Sequence, residues 1–383
     1  MSSRIAVPFS GAGSGSSALT WGQQAMLQAM AREHSWLPMG GHRPVAAGTT
    51  VADVAAQLRY TMERWQSMRT RIADGRQQVA ADGVAVLEVF PDGGMEAAAA
   101  VEAAYRAAAP DLAADWPLRM AVICDRGRPA HLVAVMPHLV TDGLGAAVML
   151  GESARRVASP PAGPQPLDIA AWQASPPGER QHAAARRHWD RHAGGLVPFT
   201  SRAMLQRYQR CLHDSARLSA RLPGAAARLG TDESTVLLAA YFAALARVTG
   251  RATIAVRQVV SNRFRSGLSD VVTPLTQFGL CALDVPPSFP DAVAAVARAA
   301  LPARKYAYYD PDRVPSPQTP CFNDRRALAL TDPPSAAPAG PTEPLFLHVD
   351  SVPGAVRLLF DVDTACFAPG TVAALAREME SVV

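Results

Sequence analysis

A chain of 383 residues that is 49% hydrophobic and 18% charged has an ordinary globular composition, with enough apolar material for two substantial cores. A formal net charge of +4 is too mild for a dedicated nucleic-acid binder, and no apolar stretch approaches the roughly 20 residues of a bilayer span. The five cysteines are widely spaced and form no CxxC, which argues against a zinc ribbon or a dithiol redox motif. Reduced, mostly buried thiols are expected. The opening MSSRIAVPFSGAGSGSS has one arginine and no sustained apolar core, so it does not read as a secretory signal, and a cytoplasmic location is expected.

In chain order, LTWGQQAMLQAMARE carries a helix start: Thr20 can cap, and Gln23 completes a capping box. The preceding GAGSGSS lacks the Lys-Ser/Thr of a phosphate loop and reads as a flexible loop. A long helix is predicted from Thr49 or Thr50 through TTVADVAAQLRYTMERWQSM to RTRI. VAVLEVF alternates as a strand, and GGMEAAAAVEAAYRAAAPDLA is helical. PLRMAVICD and HLVAVM read as antiparallel strands joined by RGRPA, and LGAAVMLGESARR reads as a helix.

Two proline-rich stretches follow, SPPAGPQP and SPPGE, and place a boundary between two α/β halves, 1–165 and 166–383. The second half opens with the basic helix RQHAAARRHWDRHAGGL. TDESTVLLAAYFAALARVTG is a helix capped at Thr231 or Asp232 and ended by Gly250. Strand-like ATIAVRQVV and GLCALDV, the helix FPDAVAAVARAALPARKYA and RRALALT follow. The loop DPPSAAPAGPTEP then leads to the strand pair LFLHVDS and AVRLLFDVD and the closing helix PGTVAALAREMESVV. Mixed strands and helices in both halves point to two α/β lobes.

The chemistry-bearing stretch is VAVMPHLVTDGLG, residues 133–145, which puts His138 where a strand stops. Pro137 rules out a continuous helix, because it lacks an N–H and restricts the residue before it. Asp142 and Gly143 make a turn, with Asp142 or Thr141 placed to cap the next helix. His138 reads in two ways: a partly buried histidine bonded to backbone, or an imidazole that takes a proton from a nucleophile arriving at the strand end. No GxSxG elbow and no second triad member stand out, so the nucleophile would belong to a substrate rather than to a protein serine.

HLVTDG resembles the HHxxxDG motif of the condensation-domain family of nonribosomal peptide synthesis, which also marks chloramphenicol acetyltransferase and O-acyltransferase relatives. Further segments are similar and in order: LTWGQQAMLQAM, WQSMRTRI, WPLRMAVI, DIAAWQ with ARRHWDRHAGGL, STVLLAAYFAALARVTGRATIAVRQVVSNRFRSGLSDVV, CFNDRR and the C-terminal strand–helix pair. The resemblance covers essentially the whole chain. It implies an α/β fold of two chloramphenicol-acetyltransferase-like lobes in a V-shaped pseudo-dimer with a central tunnel. It further implies an acyltransferase that forms an amide from an acyl or aminoacyl thioester on a carrier protein's phosphopantetheine arm and an amine or carrier-bound acceptor. No permanently bound cofactor, metal, nucleic acid or membrane is implied, and a free-standing, monomeric protein is expected.

By the same resemblance His138 is the functional histidine of the motif, orienting or deprotonating the nucleophile. Asp142 is a structural carboxylate paired with an arginine, for which Arg69 of MRTRI is the candidate, and Gly143 lets backbone approach the reacting centre. Asn323 of CFNDRR, Gln277 and Thr141 are assigned to the substrate tunnel. There are departures. Pro137 replaces the first motif histidine, and TPLTQFG stands where the family has G-x-F-x-N, with Thr273, Leu275 and Gln277 at the motif positions. Ester formation onto a hydroxyl fits the same motif. So does a non-catalytic domain that docks a tailoring enzyme, which the change at Pro137 favours.

Weaker signals read as structure. His188 and His192 share a helix face, but Arg186, Arg187 and Arg191 beside them disfavour a zinc site. His131 and His348 stand singly in strands. Arg263 and Arg265 are either solvated or placed for a carrier's phosphate.

Overall fold

The computed structural model describes residues 2–194, 196–201, 207–314, 316–328 and 343–383. Most of the loop DPPSAAPAGPTEP and the end of RRALALT therefore lie outside the described residues. Ten α-helices are found among the described residues, and none is long and apolar enough to cross a membrane.

In chain order the elements are β1 (Ser3–Ser10), β2 (Gly15–Ala18), α1 (Trp21–Glu33), β3 (Pro38–Pro44), α2 (Val51–Arg64), β4 (Thr70–Ala73), β5 (Arg76–Val79), β6 (Asp82–Phe90), α3 (Gly94–Ala107), β7 (Arg119–Asp125), β8 (Arg128–Pro137), α4 (Gly143–Arg155), α5 (Pro166–Gln173) and α6 (Pro176–Ala193). They continue as β9 (Tyr208–Ser215), α7 (Ala216–Leu229), α8 (Glu233–Thr249), β10 (Thr253–Val260), β11 (Gln277–Asp284), α9 (Phe289–Lys305), β12 (Cys321–Asp324), β13 (Leu345–Val352), β14 (Ala355–Asp363) and α10 (Pro369–Val382).

The chain divides into two compact units. The first holds Met1–Ala31, Ser35–Glu179 and Arg263–Leu275; the second holds Arg32–His34, Arg180–Asn262 and Thr276–Val383. The division falls inside α6, later than the expected boundary at 165, because α5 and the second proline-rich stretch stay with the first unit. The first unit also takes back Arg263–Leu275, which composition gave no means to see.

The first unit carries a five-stranded sheet in the order β1-β6-β7-β8-β3, with β6 and β7 parallel and the other neighbours antiparallel. Val54, Leu58 and Met62 of α2 bury against Leu87, Val122 and Leu132 on one face. Ala98 and Val101 of α3 bury against Ala121, Ile123, Val133 and Val135 on the other. Strands β7 and β8 read as continuous apolar runs because both of their faces are covered. The second unit's six-stranded sheet runs β11-β10-β12-β13-β14-β9. Residues 235–245 of α8 are all buried, enclosed by this sheet with α9 and α10, while Ala185 and Trp189 of α6 pack on its other face against Ala255 and Leu280.

Local signals shape several ends. The Thr20–Gln23 box forms: Gln23 N–H donates to Thr20 Oγ1 at 3.2 Å, and Thr20 N–H to Gln23 Oε1 at 2.8 Å. Thr50 caps α2 in a reciprocal box with Asp53. The helix stops at Arg64, short of the expected WQSM, and a 3₁₀ turn, Gln66–Arg69, leads into β4. Asp232 caps α8 and Gly250 ends it in a left-handed conformation.

Candidate active site around His138

Strand β8 ends where β3 begins, with Pro137 opposite Pro38. Neither proline has an N–H to donate. None is needed there, because the ladder's alternation makes this a non-hydrogen-bonded pair, and the next pair carries the bond: His138 N–H donates to the Leu37 carbonyl at 2.9 Å. Val140 N–H turns back onto the Pro137 carbonyl at 3.1 Å, and Leu139 and Val140 are buried beneath the turn. His138 is half-buried, and its Nδ1 is sealed from solvent with no hydrogen-bond partner among the described residues. Of the two readings of this histidine, the one that ties its ring to backbone finds no support at Nδ1. A neutral imidazole keeps one ring nitrogen as a proton acceptor.

Asp142 caps α4: its Oδ1 accepts from Gly145 N–H at 2.9 Å. Its Oδ2 accepts from Arg263 Nη1 at 2.8 Å and from Leu275 N–H at 3.0 Å. Both side chains are buried. Burial alone would raise the Asp142 pKa, but the Arg263 charge and these hydrogen bonds outweigh it and hold the carboxyl below its ordinary value. Arg263 also donates from Nη2 to the carbonyls of Val271 at 3.0 Å and Thr273 at 3.4 Å, which wraps segment 263–275 around the motif's carboxylate. Gly143 is the first residue of α4, and Gly145, two residues on, is under tight constraint. A Cβ there would lie 2.6 Å from Thr141 Oγ1 and 2.9 Å from Arg263 Nη2.

Arg69, expected as the partner of Asp142, is not that partner. It ends the 3₁₀ turn, is fully buried, and donates to the carbonyls of Ala12, Gly13 and Ala80. GAGSG is therefore a cradle rather than a flexible loop, since a Cβ on Gly11 would meet Arg69 Nε at 2.6 Å. The true partner, Arg263, stood in SNRFR, but the reading as a carrier-phosphate contact treated it as exposed, whereas its side chain is 7% exposed.

The residues assigned to the tunnel differ in fate. Thr141 is sealed at 0% exposure beneath α4, so it packs the motif rather than lining a binding surface. Gln277 opens β11 with both ends of its amide engaged, Nε2 donating to the Tyr309 carbonyl at 2.8 Å and Oε1 accepting Tyr309 N–H at 3.2 Å. It is a backbone clamp, not a substrate contact. Asn323 in β12 is half-buried and lies opposite His348 of β13, their nearest nitrogens 3.4 Å apart. The His348 ring stacks on Phe346 at 4.1 Å, with Asp361 at 3.9 Å held by Arg210. Burial, with the Arg325 and Arg210 charges, lowers the His348 pKa well below its ordinary value, so its ring is neutral.

His188 is not placed as a metal ligand, because its Nε2 engages the Leu280 carbonyl at 2.9 Å and its ring stacks on Tyr306. Among the described residues, no group of three or more His, Cys, Asp or Glu side chains is arranged to hold a metal ion.

A condensation-domain family model matches residues 50–313, with the His138–Asp142 turn inside the match. The chain belongs to the condensation-domain family. Solved condensation-domain structures share its fold over nearly the full length. One is a condensation domain that mediates chain release from the enacyloxin polyketide synthase, with TM-score 0.71, 21% identity, and 95% of this chain and 82% of that one covered. The X-domain from teicoplanin biosynthesis gives TM-score 0.74 and 20% identity over 95% of this chain and 94% of that one. The SgcC5 protein from Streptomyces globisporus gives TM-score 0.69 and 16% identity over 96% and 97%. No curated protein sequence matches. The condensation-domain fold explains why a histidine follows a strand here: the turn carries it at the end of β8, and the Asp142–Arg263 pair fixes the helix start behind it.

Proposed function

We propose that this condensation domain forms an amide between a carrier-bound acyl or aminoacyl thioester and an amine acceptor, with His138 handling the proton. The observation that carries this reading is the placement of His138 at the end of β8, its backbone tied to Leu37 and the Asp142–Arg263 pair fixing the helix start behind it. The amine lone pair attacks the thioester carbonyl carbon, and His138 takes the proton that the nitrogen releases. The tetrahedral intermediate then collapses: the C–S bond breaks, the C–N bond remains, and the imidazolium returns its proton to the departing phosphopantetheine thiolate. The phosphopantetheine arm enters as part of the substrate, and no resident cofactor is invoked. A hydroxyl acceptor would follow the same course to an ester.

A second reading, a docking module without turnover, is favoured by one observation: Pro137 stands in place of the first motif histidine. The likeness to the X-domain, which has been solved in complex with OxyB, points the same way.

Intact-mass analysis of a loaded carrier protein, incubated with a pool of amines, separates these readings. Offloaded amide with the wild type, and a loss of about 10²–10⁴-fold with His138→Ala, supports the enzyme. No turnover across a broad acyl panel, with measurable binding to a carrier or a tailoring enzyme, would replace it with the docking module.

A further inference from the structure

The residue that anchors His138 is itself anchored. Leu37, whose carbonyl accepts the His138 N–H, has a left-handed backbone with φ 48°, which a branched residue adopts only under constraint. Three groups impose that constraint on the segment. Leu37 N–H donates to Ser35 Oγ at 3.1 Å. Arg106, in the last turn of α3, donates from Nη1 to the Pro38 carbonyl at 3.1 Å and from Nη2 to the Gly40 carbonyl at 2.5 Å. Trp36 Nε1 donates to the Arg106 carbonyl at 2.9 Å.

Arg106 is in turn oriented. Glu102, one helical turn earlier, accepts from its Nε at 2.6 Å, and the other carboxylate oxygen accepts the backbone N–H of His42 at 3.0 Å. His42 Nδ1 lies 2.7 Å from that same oxygen. Gly41 of PMGGHRP makes room for this arrangement, since a Cβ there would lie 3.3 Å from Glu102 Oε2. Strand β3 is an edge strand, paired only with β8 in its sheet, so without these contacts its first residues would be free to shift.

We infer that Arg106 is a positioning residue for His138, acting through the 36–40 segment that holds the histidine's backbone. This rests on the proposed role of His138. Arg106 touches no reacting atom. It fixes where the His138 backbone ends its strand, and a misplacement of about 1 Å at a reacting group lowers rate by about 10²-fold.

The test is the Arg106→Ala variant, with His138 amide hydrogen exchange and acyl-transfer kinetics measured on the same protein. Expected are at least about tenfold faster exchange at the His138 amide and a kcat lower by about 10- to 100-fold. KM for both substrates should stay within about twofold, with the variant's far-UV circular dichroism matching the wild type at the assay temperature, because a loss of folded protein would itself lower kcat at unchanged KM. Arg106→Lys, which can reach one carbonyl but not both, should recover part of the loss. If Arg106→Ala does not fold, Arg106→Lys and Trp36→Phe carry the same comparison.

In a His138→Ala background, Arg106→Ala should lower kcat no further. A further tenfold loss there, or unchanged kcat in Arg106→Ala alongside an inactive His138→Ala, would overturn the inference. Should His138→Ala retain full transfer, the proposed function fails instead. The exchange measurement then still decides the anchoring, with unchanged exchange at His138 overturning it.

Discussion

The Asp142–Arg263 pair can be tested by removing its charge without removing its shape. Asp142→Asn keeps an oxygen to accept from Gly145 N–H, but its amide NH₂ would face two donors, Arg263 Nη1 and Leu275 N–H. The guanidinium is then left in a buried site without its counter-charge. Breaking a buried pair from one side destabilises by about 3–5 kcal/mol. A unit of this size shifts its Tm by about 2–4 °C per kcal/mol, so a drop of about 6–20 °C is expected at pH 7. Arg263→Met should behave similarly, and the double variant should be less destabilised than the two single losses summed, by at least about 1 kcal/mol.

The acid side has a definite sign. The folded pKa of Asp142 is depressed, so its stabilisation is complete above the unfolded value near 3.9 and is lost as pH falls through the lower folded value. Wild type and Asp142→Asn should therefore differ fully at pH 7 and converge only below about pH 4. Thermal melts by circular dichroism at pH 7, 5 and 3 for the four proteins supply the measurement. A shift under about 2 °C in Asp142→Asn, or strict additivity of the two single variants, would refute the buried-pair argument.

Three further outcomes follow from the same geometry. Arg69→Ala leaves the carbonyls of Ala12, Gly13 and Ala80 without their donor, and should destabilise by about 2–4 kcal/mol; a melt of Arg69→Ala with Asp142→Asn should show additive losses, unlike the Arg263 double variant. Gln277→Leu strands both polar groups of the Tyr309 backbone and should lower stability by about 2–3 kcal/mol while leaving KM unchanged in steady-state transfer assays, where a raised KM would return Gln277 to the substrate. His348 has a depressed folded pKa, so its contribution is complete above the unfolded value near 6.5 and declines as pH falls below it; His348→Gln should flatten the dependence of Tm on pH between about 6.5 and 4.

The parts of the fold that were legible in the sequence were those written in short-range code. Thr20 with Gln23, and Asp232 with Gly250, mark helix ends because a cap needs only residues three or four apart. Strands β7 and β8 were legible because burial on both faces leaves an unbroken apolar run. Strand β3 was not, since PMGGHRP has neither alternation nor an apolar run. It is a strand because β8 offers it an edge and because α3 reaches down to hold it. Its two glycines weaken a strand considered alone, yet Gly40 lets β3 close on the Ala134 carbonyl of β8 and Gly41 leaves room for Glu102.

The site divides along the same line. His138 and Asp142 could be placed because their constraints are local: a proline before, an Asp-Gly turn after, a helix to cap. The partner of Asp142 could not, because Arg69 and Arg263 are equally arginines in sequence and differ only in which carboxylate or carbonyls the folded chain brings to them. The same distinction bears on Pro137. It takes the last position of β8 opposite a second proline, at a pair whose N–H groups point away from the partner strand, so neither is missed and the next pair, His138 with Leu37, carries the bond. The ladder therefore absorbs the proline, and the histidine's own N–H makes the bond that its register assigns to it. With its backbone fixed there and the Asp142–Arg263 pair behind it, His138 keeps a set position whatever residue stands before it, which is the physical ground for testing it as the proposed proton acceptor.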